Sequence, residues 1–177
     1  MNSNDDIFRK ALEDSLKEHG LSYQIDADNI YSIASKNKHD RLTTAKLIGS
    51  EPILEKLHGS KSNTEIKAIG YFRFELSPEG IEPNFYIFAF SNTADNKVEF
   101  VIVPTDELIN RLNQRKCITD KDQETELLLW LLPDALIFEV TFFGGEGLWW
   151  FIDGRMAKNT IWDYTIFRNH WNRFLVN

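Results

Sequence analysis

The stretch Phe85 to Leu108, "FYIFAFSNTADNKVEFVIVPTDEL", constrains the fold more than any other part of the chain. Phe85 to Ser91 and Val98 to Val103 are apolar runs rich in aromatic and β-branched residues, the composition of strands. Between them "NTADNK" has the Asn, Asp and Thr content of a hairpin loop. Pro104 ends the second run, because proline has no N–H to give to a ladder. "TDELINRLNQRK" then reads as a helix with Thr105 as cap, acids in the first turn and bases in the last. A hairpin that switches sharply into a helix commits the chain to a mixed class.

The flanking sequence extends this pattern. Ser3 or Asn4 can cap a helix whose first turn holds Asp5 and Asp6, whose stripe is Ile7, Ala11, Leu12 and Leu16, and whose stop is Gly20. "LSYQIDADNIYSIAS", broken by Asp26 to Asn29, suits two short strands or a hairpin. In "KNKHDRLTTAKLIGSEPILEKLHGSKSN" the apolar residues Leu42, Ala45, Leu47 and Ile48, then Ile53, Leu54 and Leu57, fit two short helical turns split by Gly49 and Pro52. Thr64 to Leu76 reads as a strand, with "SPEGIEP" as a loop after it. "DQETELLLWLL" predicts a helix ended by Pro133, "ALIFEVTFF" and "LWWFID" predict strands around the "GGEG" turn, and "DYTIFRNHWNRFL" predicts an aromatic C-terminal helix. These elements describe one α/β (α+β) domain spanning residues 1–177, with a single mixed central sheet flanked by helices.

Size and composition agree with one core: 177 residues, 42% hydrophobic, with thirteen Phe and five Trp. The single Cys117 makes no internal disulfide, and the N-terminus has neither a basic head nor an apolar run of signal type, which predicts a cytoplasmic protein. Pro133, Asp134 and Glu139 interrupt the longest apolar stretch, so no membrane span is expected. A formal net charge of -7 argues against general polyanion binding, which depends on bases neutralising phosphates. The charge is uneven, however. Residues 36–67 carry seven bases against four acids, and residues 155–177 carry four against one, so two segments could form a positive face on an acidic body.

Familiar catalytic signatures are missing: there is no P-loop, no His-Glu-x-x-His and no Cys-x-x-Cys. Gly144, Gly145 and Gly147 suit a turn, and His19, His39, His58 and His170 lack metal-ligand spacing. The pairs Trp149-Trp150 and Phe142-Phe143 could line a pocket or stack bases, although core packing explains at least one member of each. The remaining candidate is Glu65-Ile66-Lys67. On a strand, Glu65 and Lys67 project from one face while Ile66 points the other way into packing. A carboxylate there can hold a divalent cation and the ammonium can stabilise a phosphate, provided a second acid joins them. Acid-x-Lys is common by chance, and Asp95-Asn96-Lys97 is a second instance.

The order "TEIKAIGYFRFEL", "NFYIFAFSN", "VEFVIVPTDEL" resembles the PD-(D/E)xK, or restriction-endonuclease-like, nuclease superfamily, in which an x-Glu-x-Lys strand precedes further strands and a helix. The resemblance covers roughly residues 64–112, and the closing "FRNHWNRFL" is similar to the aromatic C-terminal helix of small members. It implies a restriction-endonuclease-like fold, Glu65 and an upstream Asp as ligands of Mg2+, and Lys67 as catalytic lysine. The upstream acid is Asp40 in "KHDRL" or Asp28 in "DADNIYSIAS", 25 and 37 residues before Glu65.

Two functions follow from this reading. One is a divalent-metal-dependent nuclease, with Lys36, Lys38, Arg41, Arg155, Arg168 and Arg173 on the backbone phosphates of DNA or RNA. The other is a non-catalytic protein-binding module of the immunity or antitoxin kind on the same fold, motivated by the acidic balance of residues 68–154. A small-molecule enzyme has no specific feature in its favour.

Overall fold

A computed structural model describes residues 3–26, 29–35, 42–51, 66–76, 82–114, 124–139 and 163–175. Among these the chain runs α1 (Ser3–Glu18), β1 (Leu21–Ile25), β2 (Ile30–Ser35), β3 (Thr43–Gly49), β4 (Ala68–Glu75), β5 (Phe85–Asn92), β6 (Lys97–Pro104), α2 (Thr105–Gln114), β7 (Glu124–Leu131) and β8 (Ile137–Glu139). The first helix, the β1–β2 hairpin, the β5–β6 hairpin and α2 stand where the sequence placed them. Gly20, at a φ of 68°, supplies the left-handed residue that stops α1.

The strands make two sheets where the sequence suggested one. β1-β2-β3-β5-β6 form a mixed sheet in which β3 and β5 are the parallel pair, and β4-β7-β8 form an antiparallel sheet. Three layers result. On one face of the large sheet, Phe8, Leu12 and Leu16 of α1 pack with Leu21, Tyr31, Ile33, Ala45, Leu47 and Ile87. On the other face, Phe72 and Phe74 of β4 and Leu127, Leu129 and Leu131 of β7 pack against Tyr86, Phe88, Phe90, Val101 and Val103, with Leu108 and Leu112 of α2. The Phe72 and Phe88 rings meet edge to face at 5.1 Å, a geometry that adds to the area they bury.

Three local readings are corrected. The segment around Leu42 to Ile48 is the strand β3 and not a helical turn. Its alternation decides this, since Ala45 and Leu47 face α1 while β2 and β5 pair with its two edges. The second turn expected there, around Ile53 to Leu57, lies outside the described residues, as does the "LWWFID" strand. "ETELLLWL" is the strand β7 and not a helix. Its continuous apolar run fills both faces, Leu127, Leu129 and Leu131 inward and Leu128 and Trp130 outward, and such a run has no periodicity to distinguish strand from helix. The C-terminal segment makes two short 3-10 turns, Thr165–Phe167 and Trp171–Phe174, in place of one helix. Asn169 breaks it with a φ of 46°, and its backbone N–H and side chain are both spent on Phe100 of β6.

At Gly70 a Cβ would sit 2.7 Å from the Phe72 ring of its own strand and 3.0 Å from the Phe90 ring of the facing sheet. Gly70→Ala is expected to lower stability by about 2 kcal/mol through overpacking, read as a lower urea midpoint at unchanged slope.

Candidate functional site

Of the acid-x-Lys candidate, Lys67 is described and Glu65 is not. Lys67 is half-buried just ahead of β4, and its backbone N–H donates to the Leu131 carbonyl at 2.8 Å. Ile66 packs with Ile69, Tyr71, Leu128, Trp130 and Leu132 on the outer face of the small sheet, so Lys67 stands beside an apolar patch. Since Ile66 and Ile69 share that patch, strand alternation does not extend back through the motif as the sequence suggested. Asp28, Asp40, Lys36, Lys38, Arg41 and Arg155 lie outside the described residues.

The remaining two basic candidates are built into the fold. Arg168 grips Glu99 with both arms of its guanidinium, Nε to Oε2 and Nη2 to Oε1, each at 2.9 Å. Asn92 and Lys97 also bond Glu99 Oε1, both at 3.1 Å, and Asn169 reaches Oε2 at 3.3 Å. Glu99 is fully buried on the inner face of β6. Burial alone would raise its pKa, but the bonds from Arg168, Asn92 and Lys97 outweigh that and hold it down at about 2. Arg173 lies over the Phe167 ring at 5.3 Å and donates to His170 Nδ1 at 3.3 Å.

The structure brings together a different set. β1, β2 and β3 each give one face to α1 through Tyr23, Tyr31, Ile33, Ala45 and Leu47, so Gln24, Asp26, Ser32, Thr44 and Lys46 project from the opposite face. Register aligns them. Gln24 pairs with Ser32 and Ser32 with Thr44, and Thr44 continues to Asn84, whose Oδ1 accepts from the Thr44 N–H at 2.9 Å and from its hydroxyl at 3.1 Å. One row along, the Asp26 N–H donates to the Ile30 carbonyl at 2.8 Å, and Ile30 pairs with Lys46. Asp26 accepts from the Ser32 hydroxyl at 2.6 Å. The second layer packs on β5 and β6, and from β3 only Ile48 joins that cluster. The β1–β2–β3 part of this face mixes polar and apolar residues: Gln24, Asp26 and Asn84 are exposed, Ser32, Thr44, Lys46 and Ile30 half-buried, and Ala34 buried.

This row adjoins an open groove of about 650 Å³ at the start of α2, lined by Glu82, Asn84, Asp106, Ile109, Asn110 and Asn113. Thr105 anchors its base by donating to the Pro83 carbonyl. Asn84 belongs to both the row and the groove.

Sequence reasoning passed over Lys46 because "LTTAKLIG" was read as helical, and a helix would have hidden the pairing of Lys46 with the strand behind Asp26. The alternation of Thr44, Lys46 and Ile48 was the available signal. As chemistry, the face offers one ammonium, one carboxylate, hydroxyls and amides. Asp26 and Lys46 stand two strands apart, about 10 Å between backbones. For the Mg2+ that the resemblance implies, Asp26 is the one carboxylate these residues set beside Lys46, and Thr44 holds the place two before the lysine. A single carboxylate does not make a protein-held metal centre. Among the described residues no group of three or more His, Cys, Asp and Glu is placed to hold a metal ion. Among them, too, no helix is long and apolar enough to cross a membrane.

Comparison with protein-family models, with curated proteins and with solved structures gave no match.

The Glu99 network has a defined acid signature. Its folded pKa lies below the ordinary carboxylate value near 4.3, so its contribution is complete above that pH and is lost as pH falls towards 2. Glu99→Gln is expected to cost about 2 kcal/mol at pH 7, because Arg168 loses a buried partner, and to flatten the stability profile between about pH 4.5 and 2. Urea unfolding across that range measures both.

Proposed function

We propose that the protein is a nuclease-like domain that holds a nucleic-acid phosphodiester on the open β1–β2–β3 face, with Lys46 as the phosphate contact. The observation that carries this is the setting of Lys46: a half-buried cation between Ile30 and Tyr86 in its cross-strand row, with the Thr44 hydroxyl in the neighbouring row and Asp26 hydrogen-bonded to Ile30 on the far side. An acid-bearing turn leading into a strand, followed by a strand with the lysine, is also the order that the restriction-endonuclease-like resemblance implies. On this reading the lysine strand is β3, with Lys46, and the segment of Lys67 is a structural strand of the second sheet. Asp28 follows Asp26 by two positions in the sequence and is the first acid to test beside it.

Thr44 favours a second reading. With a hydroxyl where the acid-x-Lys arrangement has its carboxylate, the face suits binding without hydrolysis, including a non-catalytic module for a protein partner.

Binding is expected to be weak and local on a chain of net charge -7. A plot of log K against log salt should have a slope of about -1 for single strands, as for one or two phosphate contacts. Lys46→Ala should reduce affinity for labelled single-stranded DNA and RNA about tenfold. Cleavage that needs Mg2+ or Mn2+ and disappears in Lys46→Ala and in Asp26→Asn or Asp28→Asn identifies a nuclease, whereas binding without cleavage identifies the non-catalytic form. Loss in Lys67→Ala with Lys46→Ala intact would move the site to the strand leading into β4. No binding to any nucleic acid would overturn the proposal.

A further inference from the structure

We propose that the groove at the start of α2 is a base-binding subsite, which receives the base of an unpaired nucleotide whose phosphate lies at Lys46. This rests on the reading above and adds to it the part of the ligand that is recognised. Glu82 and Asp106 on the groove wall repel a phosphate but accept hydrogen bonds from exocyclic amines. Three amides, Asn84, Asn110 and Asn113, share the wall. Asn84 Oδ1 is occupied by Thr44 and Asn110 Oδ1 accepts from Gln114 Nε2 at 3.0 Å, which leaves both NH2 groups as donors for ring nitrogens and carbonyls. Ile109 and Pro83 add apolar surface for the face of a ring. Donors and acceptors beside an apolar surface match the edge and face of a base, and the volume suits a small ligand.

Continuity comes from Asn84. It sits in one cross-strand row with Thr44, one row from Lys46, so a strand whose phosphate meets Lys46 has the groove beside it. Adenine, cytosine and guanine, which carry an exocyclic amine, are the bases that the two acids favour over thymine and uracil.

The test uses the full chain and labelled 12-mers of dA, dC and dT. Wild-type protein should bind dA and dC at least fivefold tighter than dT, and Asn110→Ala/Asn113→Ala should erase that preference while Lys46→Ala weakens all three alike. As an independent measurement, the side-chain amide resonances of Asn84, Asn110 and Asn113 should shift with the uncharged nucleosides adenosine and cytidine and stay fixed with inorganic phosphate. Equal binding of the three oligomers, or a preference that survives the double substitution, would overturn the subsite while leaving the Lys46 reading intact. Loss of all oligomer binding in wild type would instead remove the reading on which it rests. Shifts with an uncharged peptide and none with either nucleoside would assign the groove to a protein partner and refute the base subsite.

Discussion

The strand β5 has no solvent face from Phe85 to Phe90, and the rest of the structure is arranged around that constraint. A strand buried on both sides needs a layer on each, and one layer joins the two ends of the sequence while the other comes mainly from its middle. Phe85, Ile87 and Ala89 are covered by α1 with Trp171 and Phe174, and Tyr86, Phe88 and Phe90 by β4, β7 and α2. Its edges are taken by β3 in parallel and β6 in antiparallel. Among the described residues the second layer is three strands wide and sits over β5 and β6, and Gln24, Ser32, Thr44 and Lys46 lie on the same face of the outer strands.

Much of this was legible, and the parts that were not share a cause. The hairpins and α2 were readable because their signals are local: turn residues, a proline, a cap. The strand β7 was not, since burial on two faces erases the alternation that marks a strand, and Leu127 to Leu131 then look as helical as they look extended. The strand β3 failed in a different way. Its apolar spacing fits a helix as well as a strand, so the short alternation through Ala45 and Leu47 was outweighed until the partners β2 and β5 were seen. The C-terminal turns follow Asn169 and Arg168, whose partners lie in β6, a relation that no local window contains.

Lys67 drew attention as part of a motif whose acids, Glu65, Asp28 and Asp40, lie outside the described residues, while the residues after it continue into the second sheet as β4. Lys46 stood within a segment that seemed to have the wrong secondary structure for chemistry. A residue's candidacy depended on the element assigned to it, and a lysine read as helical was not weighed as part of a strand face.

The bond between Glu99 and Arg168 joins residues 69 positions apart. Before Arg168 arrives, the β5–β6 hairpin would hold a carboxylate withdrawn from water with only Asn92 and Lys97 to answer it. The C-terminal segment is thus tied to the β5–β6 hairpin at a carboxylate withdrawn from water, so one ion pair couples the burial of Glu99 to the docking of residues far along the chain.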